Sequence, residues 1–215
     1  ANPAITARVV LLVSFSAAMG DASAFVTPTF ADGRISHIAG ATPLGAINTT
    51  QVGSLSEIGN MALGSVDGVP NVFELLFGLR GGSLGETCIV TLLIGGIYLI
   101  YKKVISPIIP LTYIGTVFVM SWILGVNPIS QILAGGLVLG AFFMATDYVT
   151  SPITPSGKII YGILLGILTG LFRLFGANAE GVSFAIILGN LLVPIIEKHT
   201  IPKAFGVKKE GKKHE

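Results

Sequence analysis

Lys158-Ile159-Ile160-Tyr161-Gly162-Ile163-Leu164-Leu165-Gly166-Ile167-Leu168-Thr169-Gly170-Leu171-Phe172-Arg173-Leu174-Phe175 is the stretch whose reading decides the fold. No charged residue stands between Lys158 and Arg173, and the run approaches the roughly 20 residues with which a helix crosses a hydrocarbon core of about 30 Å. Gly162, Gly166 and Gly170 recur at every fourth position and so share one helical face. Glycine weakens a helix in water, but in lipid a face of small residues lets another helix approach closely. Two readings are open for that face: helix packing, or space left for a cofactor or a permeant ion.

Working outward, similar apolar runs occupy much of the chain. Of its 215 residues 52% are hydrophobic and 11% charged, where a soluble domain has roughly 25% charged residues. The runs are continuous rather than alternating, which excludes a transmembrane β-barrel and leaves helices to satisfy the backbone in lipid. The expected fold is all-α, a polytopic transmembrane helix bundle. Six spans are expected: Ile5 to Met19, Thr87 to Tyr101, Ile108 to Leu124, Ile129 to Ala145, Lys158 to Phe175 and Val182 to Ile196. Asn127-Pro128 reads as a helix start, Gly176 as the stop after the fifth span, and Ser83 with Glu86 as a capping box opening the second. Gly136 and Gly140 are expected to form a packing face on the fourth.

Charge bias sets the orientation, because cytoplasmic ends of spans collect Lys and Arg. With Arg8 inside, alternation puts Lys102, Lys103, Lys158, Lys198 and a basic tail over residues 198–215 inside as well. Arg34, Arg80 and Arg173 then lie outside, with the whole of residues 20–86. The 215 residues form one membrane domain, and the sequence opens on a span with no initiator Met or signal peptide, so it reads as the later part of a longer chain. The cations sit where topology puts them and give no reason to expect nucleic acid. Cys88, the single cysteine, has no partner for an intrachain disulfide and reads as a small buried side chain. Asn71 to Leu79 is apolar but too short to cross, and reads as a surface or re-entrant helix.

The outward segment is long and rich in Gly, Ser and Thr, the kind of segment that carries function or lacks fixed structure. Within it lies Ala39-Gly40-Ala41-Thr42-Pro43-Leu44-Gly45. Gly40 and Ala41 leave room beside the Thr42 hydroxyl for a bulky phosphoryl-linked donor, and Pro43 biases Thr42 towards extended backbone. The same residues also suit a turn with a solvated threonine. Arg34, Arg80 and Arg173 are the outward cations able to pair with a phosphate; Arg173 is equally placed to pair with Glu180. Glu74, Glu86 and Asp147 are acids near membrane level, where a carboxylate costs at least ~2.5 kcal/mol to bury. Glu86 is an ion-pathway candidate or a cap. Asp147 is an ion-pathway candidate beside a helix break, or the residue that fixes a cytoplasmic turn. His37, His199 and His214 lack metal-ligand spacing and read as solvated; the sequence shows no hydrolase triad, phosphate loop or iron–sulfur cysteine pattern.

Four blocks in order give the chain a resemblance. They are the block from Ala39 to Gly45, Gly82-Ser83-Leu84-Gly85-Glu86-Thr87, Phe143-Met144-Ala145-Thr146-Asp147-Tyr148-Val149-Thr150-Ser151-Pro152 and Ala179-Glu180-Gly181-Val182-Ser183-Phe184-Ala185. Over nearly its whole length the chain resembles the family of RnfD, from the Rnf electron-transport complex, and NqrB, from the Na+-translocating NADH:quinone reductase, the former more closely. The resemblance implies a urea-channel-like fold with inverted repeats. It implies FMN held by a phosphoester on Thr42, installed on the outer face by a flavin transferase that uses FAD, with riboflavin as a further flavin. It also implies electron transfer from ferredoxin or NADH coupled to outward Na+ or H+ pumping, alongside other membrane and peripheral subunits, in a bacterial or archaeal cytoplasmic membrane. Many such motifs carry an Asp a few residues before the threonine; here Asp32 is farther off, and His37 and Ile38 stand between. The rival expectation from the same fold is a channel or carrier for a small solute or riboflavin.

Overall fold

The computed structural model describes residues 2–15, 18, 26–31, 34–39, 76–78, 85, 88–125, 128–133, 135–175 and 181–202. Helix α1 (Pro3–Ser14) is capped by the Asn2 side chain, which accepts from the Ala4 amide at 3.0 Å. A hairpin of β1 (Val26–Ala31) and β2 (Arg34–Ala39) follows, antiparallel, with Val26 opposite Ala39 and Ala31 opposite Arg34. Then come α2 (Ile89–Tyr101), α3 (Ile108–Ile123), α4 (Pro128–Leu133), α5 (Leu137–Leu139) with a π-helical turn over Gly140–Met144, α6 (Pro155–Phe175) and α7 (Gly181–Thr200).

The chain is helical, as expected, with one addition to the all-α reading: residues expected to be outward loop form a two-stranded ladder. The physical cause is legible in the sequence, since Asp32-Gly33 is a dipeptide that favours a two-residue hairpin connection. A correction concerns the fourth expected span. Ile129 to Ala145 is not one helix, because Gly135 takes φ +67° and separates α4 from α5. Gly136 lies in that break instead of on a helical packing face. Backbone of this kind is tolerated in an apolar medium only where protein covers it, and Leu137, Val138, Ala141, Phe142 and Ala145 are all buried.

Among the described residues two helices meet the length and hydropathy of a membrane span, Pro155–Arg173 and Gly181–Thr200. Helices α1, α2 and α3 are apolar but shorter, at 12, 13 and 16 residues. The helix starts and stops agree where they are described: Pro128 opens α4 and α6 ends at Phe175, just before Gly176. Ser83, Glu86 and Asn127 lie outside the described residues, as do most of Asn71 to Leu79, of which Leu76 and Phe77 are helical.

Glycines set the spacing between helices. A β-carbon on Gly162 would fall on the Thr112 side chain and 3.3 Å from the Ile109 carbonyl; one on Gly166 would fall on Thr116 and 3.2 Å from the Tyr113 carbonyl. The two threonines fill the notches and turn their hydroxyls onto their own helix, Thr112 to the Ile108 carbonyl and Thr116 to the Thr112 carbonyl, each at 2.7 Å. Thus α3 and α6 run parallel in close contact, and the expected packing face is present. Helix α7 returns antiparallel, with Gly181 beside Phe172 and Gly189 beside Leu165 and Tyr161, while Gly140 sits against Val182. Helix α1 packs on α7 and buries Ile5.

Gly162→Val is expected to destabilise the protein by about 1–3 kcal/mol or more through overpacking. Gly115→Ala, where an added carbon meets nothing within 4 Å, is the neutral control. Thermal unfolding in detergent checks the pair, and equal midpoints for both variants would contradict the packing described.

Candidate functional site

Among the described residues the bundle is apolar on its surface and holds polar side chains within its hydrophobic core. Large apolar side chains are exposed along the helices, among them Ile94, Ile97, Leu111, Trp122, Ile163, Ile167, Leu188 and Leu191. Ser121, Gln131, Thr146, Thr169, Arg173, Ser183 and Asn190 are buried. In water that arrangement would leave an apolar surface far larger than a soluble monomer tolerates; against hydrocarbon it is the expected one.

Helix α6 organises the interior, presenting Tyr161, Leu165, Thr169 and Arg173 at four-residue intervals on its buried face. The Tyr161 hydroxyl donates to Asn190 Oδ1 on α7 at 2.6 Å. Tyr113 on α3 and Thr169 share a hydrogen bond of 2.5 Å. Arg173, 4% exposed, donates from Nη1 to the Gln131 carbonyl of α4, with Gln131 Oε1 at 3.5 Å as a weaker second contact. Each of these groups would cost ~1–3 kcal/mol if buried without a partner, so the bonds specify which helices meet and at what height.

The two ends of the bundle differ in charge. The Ile153 amide donates to Glu197 at 3.1 Å and Thr154 to Thr200 at 2.9 Å, which brings the start of α6 and the end of α7 together. Lys158 and Lys198 therefore share one end. The parallel alignment of α3 with α6 puts Lys102 and Lys103, just before α3, at that end too. Arg173 is at the other.

The sequence-expected residues distribute as follows. Thr42, Gly40, Ala41, Glu74, Arg80, Glu86, Glu180 and His214 lie outside the described residues, although β2 ends at Ala39, directly before Gly40. Arg34 opens β2, and His37 stands opposite Pro28 in it. Asp147 is half-buried and fixes a turn: Oδ2 accepts from the Thr150 hydroxyl at 3.1 Å and its carbonyl from the Ser151 amide at 3.0 Å. His199 is exposed and bonds the Ile195 carbonyl at 2.9 Å. Cys88 is only half-buried; its thiol sulfur accepts from Thr91 at 3.1 Å and lies 3.7 Å from the Leu76 carbonyl it donates to. Among the described residues no three His, Cys, Asp or Glu side chains cluster as metal ligands would. Sequence reasoning passed over Tyr113, Tyr161, Thr169 and Asn190. The available signal was the recurrence of polar groups at Tyr161, Thr169 and Arg173 on one face of an apolar run.

A helical bundle with lipid-compatible flanks and a hydrogen-bonded polar interior defines the class, a helical membrane protein. The NQR2, RnfD, RnfE family matches residues 1–206, and the chain belongs to that family. It is 39% identical over 98% of its length to the D-type subunit of the Na+-translocating ferredoxin:NAD+ oxidoreductase complex of Acetobacterium woodii, of which it covers 61%. It is 40% identical over 97% of its length to the D-type subunit of the proton-translocating ferredoxin:NAD+ oxidoreductase complex of Clostridium ljungdahlii, covering 62% of it. The D-type subunit of the ion-translocating oxidoreductase complex of Stutzerimonas stutzeri is 36% identical over 98% of the chain and covered to 64%. The chain thus spans a little under two thirds of the length of these relatives.

Arg173→Ala is expected to destabilise the bundle by ~1.5–3 kcal/mol, because a charged donor to the α4 carbonyl is lost. Thermal unfolding in detergent measures it; an unchanged midpoint would show that the α6–α4 tie carries no weight.

Proposed function

We propose that this chain is the greater part of a D-type membrane subunit in an Rnf-type complex. In it, electron transfer from ferredoxin or NADH drives Na+ or H+ outward, with Thr42 carrying FMN. The observation that carries the reading is the family match across residues 1–206, joined to relatives named as D-type subunits of ion-translocating oxidoreductase complexes. The polypeptide crosses the membrane six times, by α1, α2, α3, the α4–α5 segment, α6 and α7. The lysine-rich end is cytoplasmic by the bias of positive charge. Since α2 ends at Tyr101, next to Lys102 on that side, the residues between α1 and α2, Thr42 among them, face outward.

The donor set suits the cofactor. Thr42 offers a hydroxyl three positions beyond the last residue of β2, and the two residues before it in sequence, Gly40 and Ala41, are small. Thr42 would hold the group through a phosphoester on its Oγ1, formed by a flavin transferase with FAD as the donor. When bound, FMN supplies electron transfer at its ring, while the protein holds it at the outer edge of the bundle. The exposed apolar sides of α2 and α3 are left for lipid and for the other subunits of the complex.

The test is flavin fluorescence of the protein on a denaturing gel, made together with its flavin transferase and partner subunits. The parent band fluoresces and gains the mass of FMN less water. Thr42→Ala loses fluorescence and electron transfer while keeping its membrane insertion and thermal midpoint. A fluorescent Thr42→Ala band overturns the attachment site. A dark parent band of unmodified mass overturns the redox reading in favour of a channel or carrier for a small solute or riboflavin.

A further inference from the structure

Helix α7 has an irregularity that the functional reading leaves unused. Pro194 lies inside it, and proline has no N–H, so the carbonyl of Asn190, four residues earlier, loses its ordinary helical donor. Asn190 is itself buried, 7% exposed. Its Oδ1 accepts from Tyr161, but its Nδ2 has no hydrogen-bond partner among the described residues. A donor and an acceptor are thus left at the same residue, the amide nitrogen buried in the α6–α7 interface and the carbonyl facing Pro194, which is itself exposed. Neighbouring Tyr161, Leu165 and Ile186 are fully buried, and Gly189 touches Leu165 and Tyr161 so closely that an added carbon would lie 3.1 Å from the Tyr161 ring.

We propose that the α6–α7 interface at Asn190 and Pro194 is an internal hydration site, holding water that accepts from Asn190 Nδ2 and donates to the carbonyl oxygen that Pro194 leaves exposed. The chemistry selects the ligand. A group that satisfies both atoms must accept and donate, and it must be neutral because the N–H dipole of Nδ2 repels a cation; water is the smallest group that does both. Buried waters in proteins occupy such places, making two to four hydrogen bonds to groups otherwise left bare, and proline within membrane helices is tolerated where water or a neighbour re-satisfies the backbone. A sodium ion is the competing occupant. It requires the amide turned over, with Oδ1 on the ion and Nδ2 facing the Tyr161 hydroxyl, and the two cases separate experimentally.

The test is a cryo-EM map of the assembled complex in lipid nanodiscs, at a resolution that shows internal waters, recorded once in sodium and once in potassium buffer. The expected result is density ~2.7–3.2 Å from Asn190 Nδ2 in both buffers. Tyr161→Phe, which keeps Asn190, retains that density. Asn190→Leu loses it and lowers the thermal midpoint, and Tyr161→Phe combined with Asn190→Leu regains most of the lost stability because neither side chain then leaves a polar atom buried without a partner. Density present only in sodium, or an empty site in a map that shows waters elsewhere in the bundle, overturns the proposal. Loss of the density in Tyr161→Phe overturns it as well.

Discussion

The close approach of α6 to α3 is the contact on which the bundle depends. Between helices in lipid the exclusion of water supplies little drive, so cohesion comes from dispersion across tightly fitted surfaces and from hydrogen bonds. Thr112 and Thr116 sit in the notches of Gly162 and Gly166, and that proximity lets the Tyr113 hydroxyl reach Thr169. With α6 seated against α3, its other side receives α7 through Gly181 and Gly189. The Tyr161–Asn190 bond then fixes the height of α7.

The same constraint explains the broken segment. Gly135 turns the chain, and the π-helical turn closes with the Ala145 amide on the Gly140 carbonyl at 2.7 Å. Irregular backbone of this sort would be untenable facing lipid. It is held inside by α2, whose Gly96 admits Phe142, and by α7, whose Val182 lies on Gly140. Arg173 completes the enclosure by bonding the Gln131 carbonyl at the end of the bundle away from the lysines. Arg173 thereby ties α4 to α6.

Helices α6 and α7 were legible in the sequence because length, hydropathy and glycine spacing all agree there, and local signals that agree with the global fold are the most readable. The fourth span misled because its apolar residues run on without proline, and only the Gly135-Gly136 pair marked the break. The hairpin was missed although Asp32-Gly33 advertised it; the length of the polar segment drew the reading towards loop. Pairings such as Tyr113 with Thr169 have no signature in spacing, since they join residues of different helices. Asp147, which invited an ion-pathway reading, is engaged with Thr150 and Ser151 in its own turn. The motif beginning at Gly40 was legible as a hydroxyl preceded by two small residues, and it lies outside the described residues.

What joins fold to function is sidedness: Lys102, Lys103, Lys158 and Lys198 lie at one end and the start of α2 at the other, and the proposed outward position of Thr42 rests on that difference. That arrangement is tested most directly by impermeant maleimide labelling of intact cells, with single cysteines introduced into a Cys88→Ser background. The account predicts that Thr42→Cys is labelled from outside and that Lys198→Cys is labelled only after the membrane is opened. Labelling of Lys198→Cys in sealed cells, with Thr42→Cys protected, would contradict it.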